Sequence, residues 1–135
     1  MASDAVGGAM LDATLALLPD SIVYERAAPP SENYAWVARE VCHLVKESEG
    51  VRGFLVCGTG IGMAITANRI SGVRAAVCHD IYSVERSILS NDCQVLCMGA
   101  RVIAPESAAR LLQHWMTLTF QGDGPSAWKV GQIDA

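Results

Sequence analysis

Three short, nearly unbroken apolar runs limit what this chain can become: GFLVCG (53–58), VRAAVCHD (73–80) and CQVLCMG (93–99). A strand with one face in water alternates apolar and polar residues. These runs do not, so each reads as a strand covered on both faces. Segments of helical spacing lie around them: 7–18, 34–48, 61–70, 83–92 and 104–120. The first should stop before Pro19, and Pro105 suits the first turn of the last. Ser31 or Asn33 is the expected cap of the second helix. SIVYER (21–26) reads as a further short strand, and the tail after residue 120 reads as irregular. Strands that alternate with helices give a parallel sheet between two helical layers. The expected fold is therefore α/β: a three-layer α-β-α sandwich with a mostly parallel, Rossmann-like sheet. At 135 residues it forms one domain, 1–135.

Composition removes several classes of function. The net charge is −4 and the basic residues are scattered, which argues against a nucleic-acid surface. No apolar run approaches the roughly 18 residues of a membrane span. MASDAVGG has no basic n-region, so no secretory signal is expected and the cytoplasm is the default. The cysteines are Cys42, Cys57, Cys78, Cys93 and Cys97, an odd number without zinc-like spacing. Four read as small buried hydrophobes. Cys57 differs because CGTGIG follows it.

On an open parallel sheet, ligands sit beyond the carboxyl ends of the strands. That directs attention to 57–62, to His79 and Asp80, and to 99–101. Glycines at 58, 60 and 62 let backbone N–H groups converge on an anion without side-chain obstruction. Three readings of Cys57 compete: packing, anion binding by its loop, or chemistry on the thiol. As a base it would take a proton from carbon while nearby N–H groups hold the resulting oxyanion. A nucleotide-binding module is a further alternative, with Asp80 as its ribose-binding acid. The spacing GxGxG instead of GxGxxG weighs against it.

At CGTGIGMAITANRISGVRAAVCHD (57–80) and YSVERSILSNDCQVLCMGARVI (82–103) the chain resembles the ribose-5-phosphate isomerase B / galactose-6-phosphate isomerase family. The resemblance is strong over about 70 residues and weak over most of the rest. It implies aldose–ketose isomerisation of a small phosphorylated sugar through an enediol, with no metal and no organic cofactor. It also implies homodimers or homotetramers with active sites shared between subunits. The family's proton-shuttling cysteine falls on Cys57 and its loop threonine on Thr59. Its oxyanion loop falls on Gly58, Gly60, Ile61 and Gly62, and its N-terminal aspartate on Asp4. Its asparagine falls on Asn91, its phosphate-binding arginine on Arg101, and a tyrosine near the site on Tyr34.

Three departures qualify this. Ser90 stands where the family has its ring-opening histidine, and Ala5 where another histidine follows the aspartate. The C-terminal Arg/His-rich segment is replaced by GPSAWKVGQID, leaving Lys129, and with it Ser126, as the phosphate ligand. The family's first strand is expected to be missing, because MAS is short. The loss of the histidine bears on substrate. Ribose 5-phosphate closes a furanose that must be opened; erythrose 4-phosphate, esterified on its fourth oxygen, cannot close one. The stretch SVERSILSND and the tail resemble the branch that handles tetrulose 4-phosphates, so that substrate is favoured over a pentose phosphate. The alternative is a catalytically weak subunit of a hetero-oligomer. Asp4 also reads as a helix cap, Arg101 as a solvated loop residue, Tyr34 as packing and His79 as hydrogen-bonded structure.

Overall fold

The computed structural model describes all 135 residues. Its elements are β1 (Ala2–Ser3), α1 (Gly8–Leu15), α2 (Tyr34–Glu47), β2 (Gly53–Cys57), α3 (Ile61–Ala67), β3 (Ala75–Val77), α4 (Ile81–Leu89), β4 (Val95–Gly99), α5 (Pro105–Thr117) and α6 (Ala127–Ile133). The sheet is fully parallel with strand order β1-β2-β4-β3. The register pairs Gly53 with Val95 and Cys57 with Gly99. The last residues of the two central strands therefore lie side by side.

The apolar runs behave as central strands must. Leu55, Cys57, Val95 and Cys97 face a core closed by α2 and α3. Phe54, Val56, Leu96 and Met98 face a second core with α1, α4 and α5, where Trp115 is fully buried. This is the expected three-layer sandwich, with two cores instead of one because the sheet is covered on both sides. Asn33 caps α2 by accepting a hydrogen bond from the Trp36 N–H at 3.0 Å. Asp80 caps α4 in the same way through Ser83 at 2.8 Å.

Three expectations are corrected. The first strand is not missing: Ala2 and Ser3 pair with Leu55 and Val56, and the Asp4 N–H continues to the Val56 carbonyl at 3.0 Å. SIVYER is not a strand. Val23 is 93% exposed, and the segment meets the chain start only near its end, where the Glu25 carbonyl accepts from the Met1 ammonium at 2.6 Å and, just beyond it, the Ala27 N–H meets the Met1 carbonyl at 3.0 Å. A β-prone segment without a partner long enough to pair with has no ladder to join. The tail, in turn, contains α6, anchored by buried Val130 and by an ion pair from Asp134 to Arg74.

Candidate active site

Cys57 ends β2, and the chain after it must turn without continuing the ladder. Gly60 makes that turn with φ +80, a region where a β-carbon is strained. A β-carbon there would also come 3.1 Å from the Met98 backbone. The result is a hairpin-tight loop in which the Gly60 N–H donates to Cys57 Sγ at 3.0 Å. The Ile61 N–H donates to Thr59 Oγ1 at 3.3 Å.

These two bonds refine the expected oxyanion loop. The Gly60 and Ile61 N–H groups are used inside the loop. Those of Gly58, Thr59 and Gly62 meet no acceptor in the chain, and they are the donors left for a bound anion. The sulfur is fixed by the same geometry: an amide holds it at the strand end, with exposed Thr59 two residues on.

Exposure does not single out Cys57. It is 5% exposed, and the other four cysteines lie between 0% and 7%. What sets Cys57 apart is the Gly60 N–H on its sulfur, since Cys42 and Cys97 share its apolar core. Burial pushes Cys42 and Cys78 up to about 11 and Cys93 up to about 12, and raises Cys97 as well. As thiols held protonated in apolar surroundings, they fit the packing role expected of them.

Other candidates gather at this carboxyl end. Asp4 is one ladder step from Cys57 and 8% exposed, and its Oδ1 accepts the Gly7 N–H at 2.8 Å. The carboxylate thus serves the turn before α1, while Asp4 as a whole stands at the right end of the sheet. Tyr34 lies against Gly62, where an added β-carbon would come 2.7 Å from the ring. The Arg101 N–H binds the Gly58 carbonyl at 3.1 Å, and its guanidinium reaches the side of Gly58, 3.8 Å from where a β-carbon would be. Arg101 is exposed and has no ion-pair partner.

Ser90, Asn91 and Lys129 do not join this group within one chain. Parallel strands all run from an amino end to a carboxyl end, and α4 returns the chain to the former. There the Asn91 carbonyl accepts from Arg74 Nε at 3.1 Å, just before β3, and Ser90 Oγ accepts from Arg86 at 3.3 Å. Lys129 is exposed on α6, whose last turn approaches the same end through Ile133 and Asp134. A strand the length of β2 separates them from Cys57, about 13 Å at 3.3 Å per residue.

Asp80 is spent on capping Ser83, with a carboxyl held below its usual range by those N–H bonds. That cap engages Oδ1 of the acid that the nucleotide reading assigned to a ribose. Cavities of about 570 Å³, beside Val41, Leu44 and Arg52, and about 790 Å³, beside Asp92 and Phe120, do not include Cys57. No helix is long and apolar enough to cross a membrane. His79 is the residue whose structural importance the sequence understated. Its Nε2 accepts the Gly99 N–H at 2.8 Å.

Comparisons with known proteins identify the family and the fold. The family model described as Ribose/Galactose Isomerase matches residues 1–133. The chain is 47% identical over 110 residues to a D-erythrulose-4-phosphate isomerase of Pectobacterium atrosepticum, covering 78% of this chain and 72% of that one. It is 52% identical over 101 residues to a Ribose-5-P isomerase B of Listeria innocua, covering 75% and 68%. Among solved structures, ribose-5-phosphate isomerase B of Thermotoga maritima superposes with a TM-score of 0.89 at 29% identity, covering 98% of this chain and 94% of that one. That of Clostridium thermocellum gives 0.86 at 31%, covering 98% and 92%. The chain belongs to the ribose/galactose isomerase family, and with its relatives it is a sugar-phosphate isomerase.

Proposed function

We propose that the chain interconverts a four-carbon aldose phosphate and its ketose, with Cys57 as the group that carries the proton between carbons. The observation that carries this is the Cys57 sulfur, held by the Gly60 amide beside unspent N–H groups of Gly58, Thr59 and Gly62. In the forward direction the sulfur, as thiolate, takes the proton from the carbon next to the carbonyl. The C–H pair becomes the C=C of an enediolate, and the carbonyl oxygen takes the negative charge. Free amides stabilise that charge in place. A proton then passes between the two oxygens, a task for Asp4 with Thr59 positioning the hydroxyl. The sulfur returns its proton to the terminal carbon as the new carbonyl forms. Arg101 holds the phosphate, since its planar fork suits a phosphate better than a point charge does.

The site is completed by a second copy in this reading. Ser90, Asn91 and Lys129 stand at the far end of the same sheet, so they reach a Cys57 only across a homodimer or homotetramer interface. Ile61, Ile65, Tyr82 and Val102 are exposed large apolar residues, which supports a covered surface at this end. Ser90 in place of a ring-opening base favours an open-chain tetrose over a pentose. The names of its relatives divide between D-erythrulose 4-phosphate and ribose 5-phosphate. The test is an isomerase assay of the purified protein alone on four-, five- and six-carbon sugar phosphates. The expected result is the highest kcat/KM on erythrulose 4-phosphate. Better turnover of ribose 5-phosphate would overturn the substrate assignment, and no turnover of any sugar would overturn the activity.

A further inference from the structure

The β3–β4 ladder stops one step short of the catalytic loop, and a side chain completes it. On the β3 side, the N–H groups of β4 point outward at every second residue. Val95 donates to the Arg74 carbonyl at 3.2 Å, and Cys78 in turn donates to the Cys97 carbonyl at 3.2 Å. With a period of two, the next donor from β4 on that side is Gly99. β3, however, ends at Val77 and the chain turns away into α4 at Ile81. The carbonyl that should receive the Gly99 N–H is replaced by His79 Nε2, at 2.8 Å.

Gly99 is the floor of the candidate site. A β-carbon on it would lie 2.7 Å from Thr59 Cα and 2.9 Å from the Gly58 carbonyl oxygen. The next two residues bind the same loop: Ala100 N–H to the Cys57 carbonyl at 2.8 Å, and Arg101 N–H to the Gly58 carbonyl at 3.1 Å. One three-residue segment therefore supports the cysteine, the free amides and the arginine together. On its other flank it is held by His79.

We propose that His79 is a positioning residue, whose neutral imidazole substitutes for a strand carbonyl and fixes Gly99 beneath the Cys57–Thr59 loop. This rests on the isomerase reading for its effect on turnover but not for its geometry. An Nε2 that accepts must lack hydrogen, so the ring's proton resides on Nδ1. A free N–H at Gly99 would let the floor shift, and displacements of about 1 Å at a site cost up to about a hundredfold in rate. The role is not reducible to packing, because it requires an acceptor at one position on the side chain. Glutamine places its terminal group where Nε2 stands; leucine fills the space with no acceptor.

The experiment compares wild type, His79→Gln and His79→Leu, by nitrogen NMR and by steady-state kinetics well below the melting temperature. The wild type is expected to show a trans-hydrogen-bond coupling between the Gly99 amide and His79 Nε2, with the Nδ1–H tautomer. His79→Leu is expected to speed Gly99 amide exchange at least about tenfold and to lower kcat about tenfold, and His79→Gln to recover both to within about threefold. A wild-type ring protonated on Nε2, or lacking the coupling, would overturn the inference even if the variants fail to fold. So would a leucine variant with full activity, or a glutamine variant no better than leucine. If no protein in the series turns over a sugar phosphate, the isomerase reading fails, and the coupling and exchange still decide the role of His79.

Discussion

The two ends of this one sheet are built on opposite rules. At the amino end the side chains of Arg74 and Asn68 are fully engaged, though Arg86 Nε is buried without a partner. Arg74 reaches the carbonyls of Asn91 and Asp92 and the carboxylates of Asp92 and Asp134. Asn68 pairs with both backbone groups of Ala75, at 2.8 and 2.9 Å. At the carboxyl end, donors are left over: the amides of Gly58, Thr59 and Gly62 and the guanidinium of Arg101. A saturated network specifies a fold, because burying an unpaired group is costly. A set of unspent donors near the surface costs little while water serves them, and it is available for a ligand's charge. The contrast separates an arginine engaged in structure, Arg74, from one left without an ion-pair partner, Arg101.

Substitutions rank this contrast by size of effect. Cys57→Ser should break it most severely: kcat falls by about a thousandfold or more, the scale of a lost acid–base group, with the melting temperature nearly unchanged. A serine variant that keeps more than a tenth of the wild-type kcat would return Cys57 to the role of a packing residue. Arg101→Ala comes next. Losing one or two charge-assisted bonds worth about 1.5–3 kcal/mol each should raise KM by about tenfold or more, and Arg101→Lys should recover only part. An unchanged KM would place the phosphate elsewhere.

Gly99→Ala tests the floor of the site. A β-carbon 2.7 Å from Thr59 Cα overpacks a backbone contact, which costs about 1–3 kcal/mol. Thermal unfolding and kcat should fall together, and a stable variant with full activity would show that the loop moves freely. The smallest effect belongs to the amino end. Asp134→Asn removes a half-exposed ion pair and should cost less than about 1 kcal/mol, with kcat intact. A large loss there would mean that the two ends are coupled.

Acid should act at the carboxyl end through His79. Burial lowers its pKa from the usual 6.5, and neighbouring Asp80 opposes the shift in part. The unfolded chain then takes up the proton before the folded one does. Stability from this group is full above about pH 6.5 and declines as pH falls from there through the folded value. Melting temperature against pH, compared between wild type and His79→Gln, isolates it: the glutamine variant should lose that part of the slope.

Much of this was readable in the residues. The runs at 53–58 and 93–99 had no polar alternation to offer a solvated face, so a sheet covered on both sides was the remaining solution. Gly58, Gly60 and Gly62 behind a strand-end cysteine marked the loop, and Asn33 marked a helix start. The failures have a common cause. SIVYER has the β-branched and aromatic residues of a strand, but pairing depends on a neighbour of sufficient length, and β1 pairs over two residues. The tail's composition resembles a loop, yet α6 forms because Val130 finds a core and Asp134 finds Arg74.

The chain's order of residues determined the alternation of elements, the covered sheet and the identity of the glycine loop, because these follow from local periodicity and from which side chains avoid water. Only the folded molecule decided how the loop's amides are divided between internal bonds and free donors. It alone decided that Ser90 and Asn91 stand a strand's length from Cys57, and that His79 closes a ladder its own backbone abandons. Those outcomes depend on direction and distance between segments remote in the chain, and such through-space terms leave no period in the sequence to read.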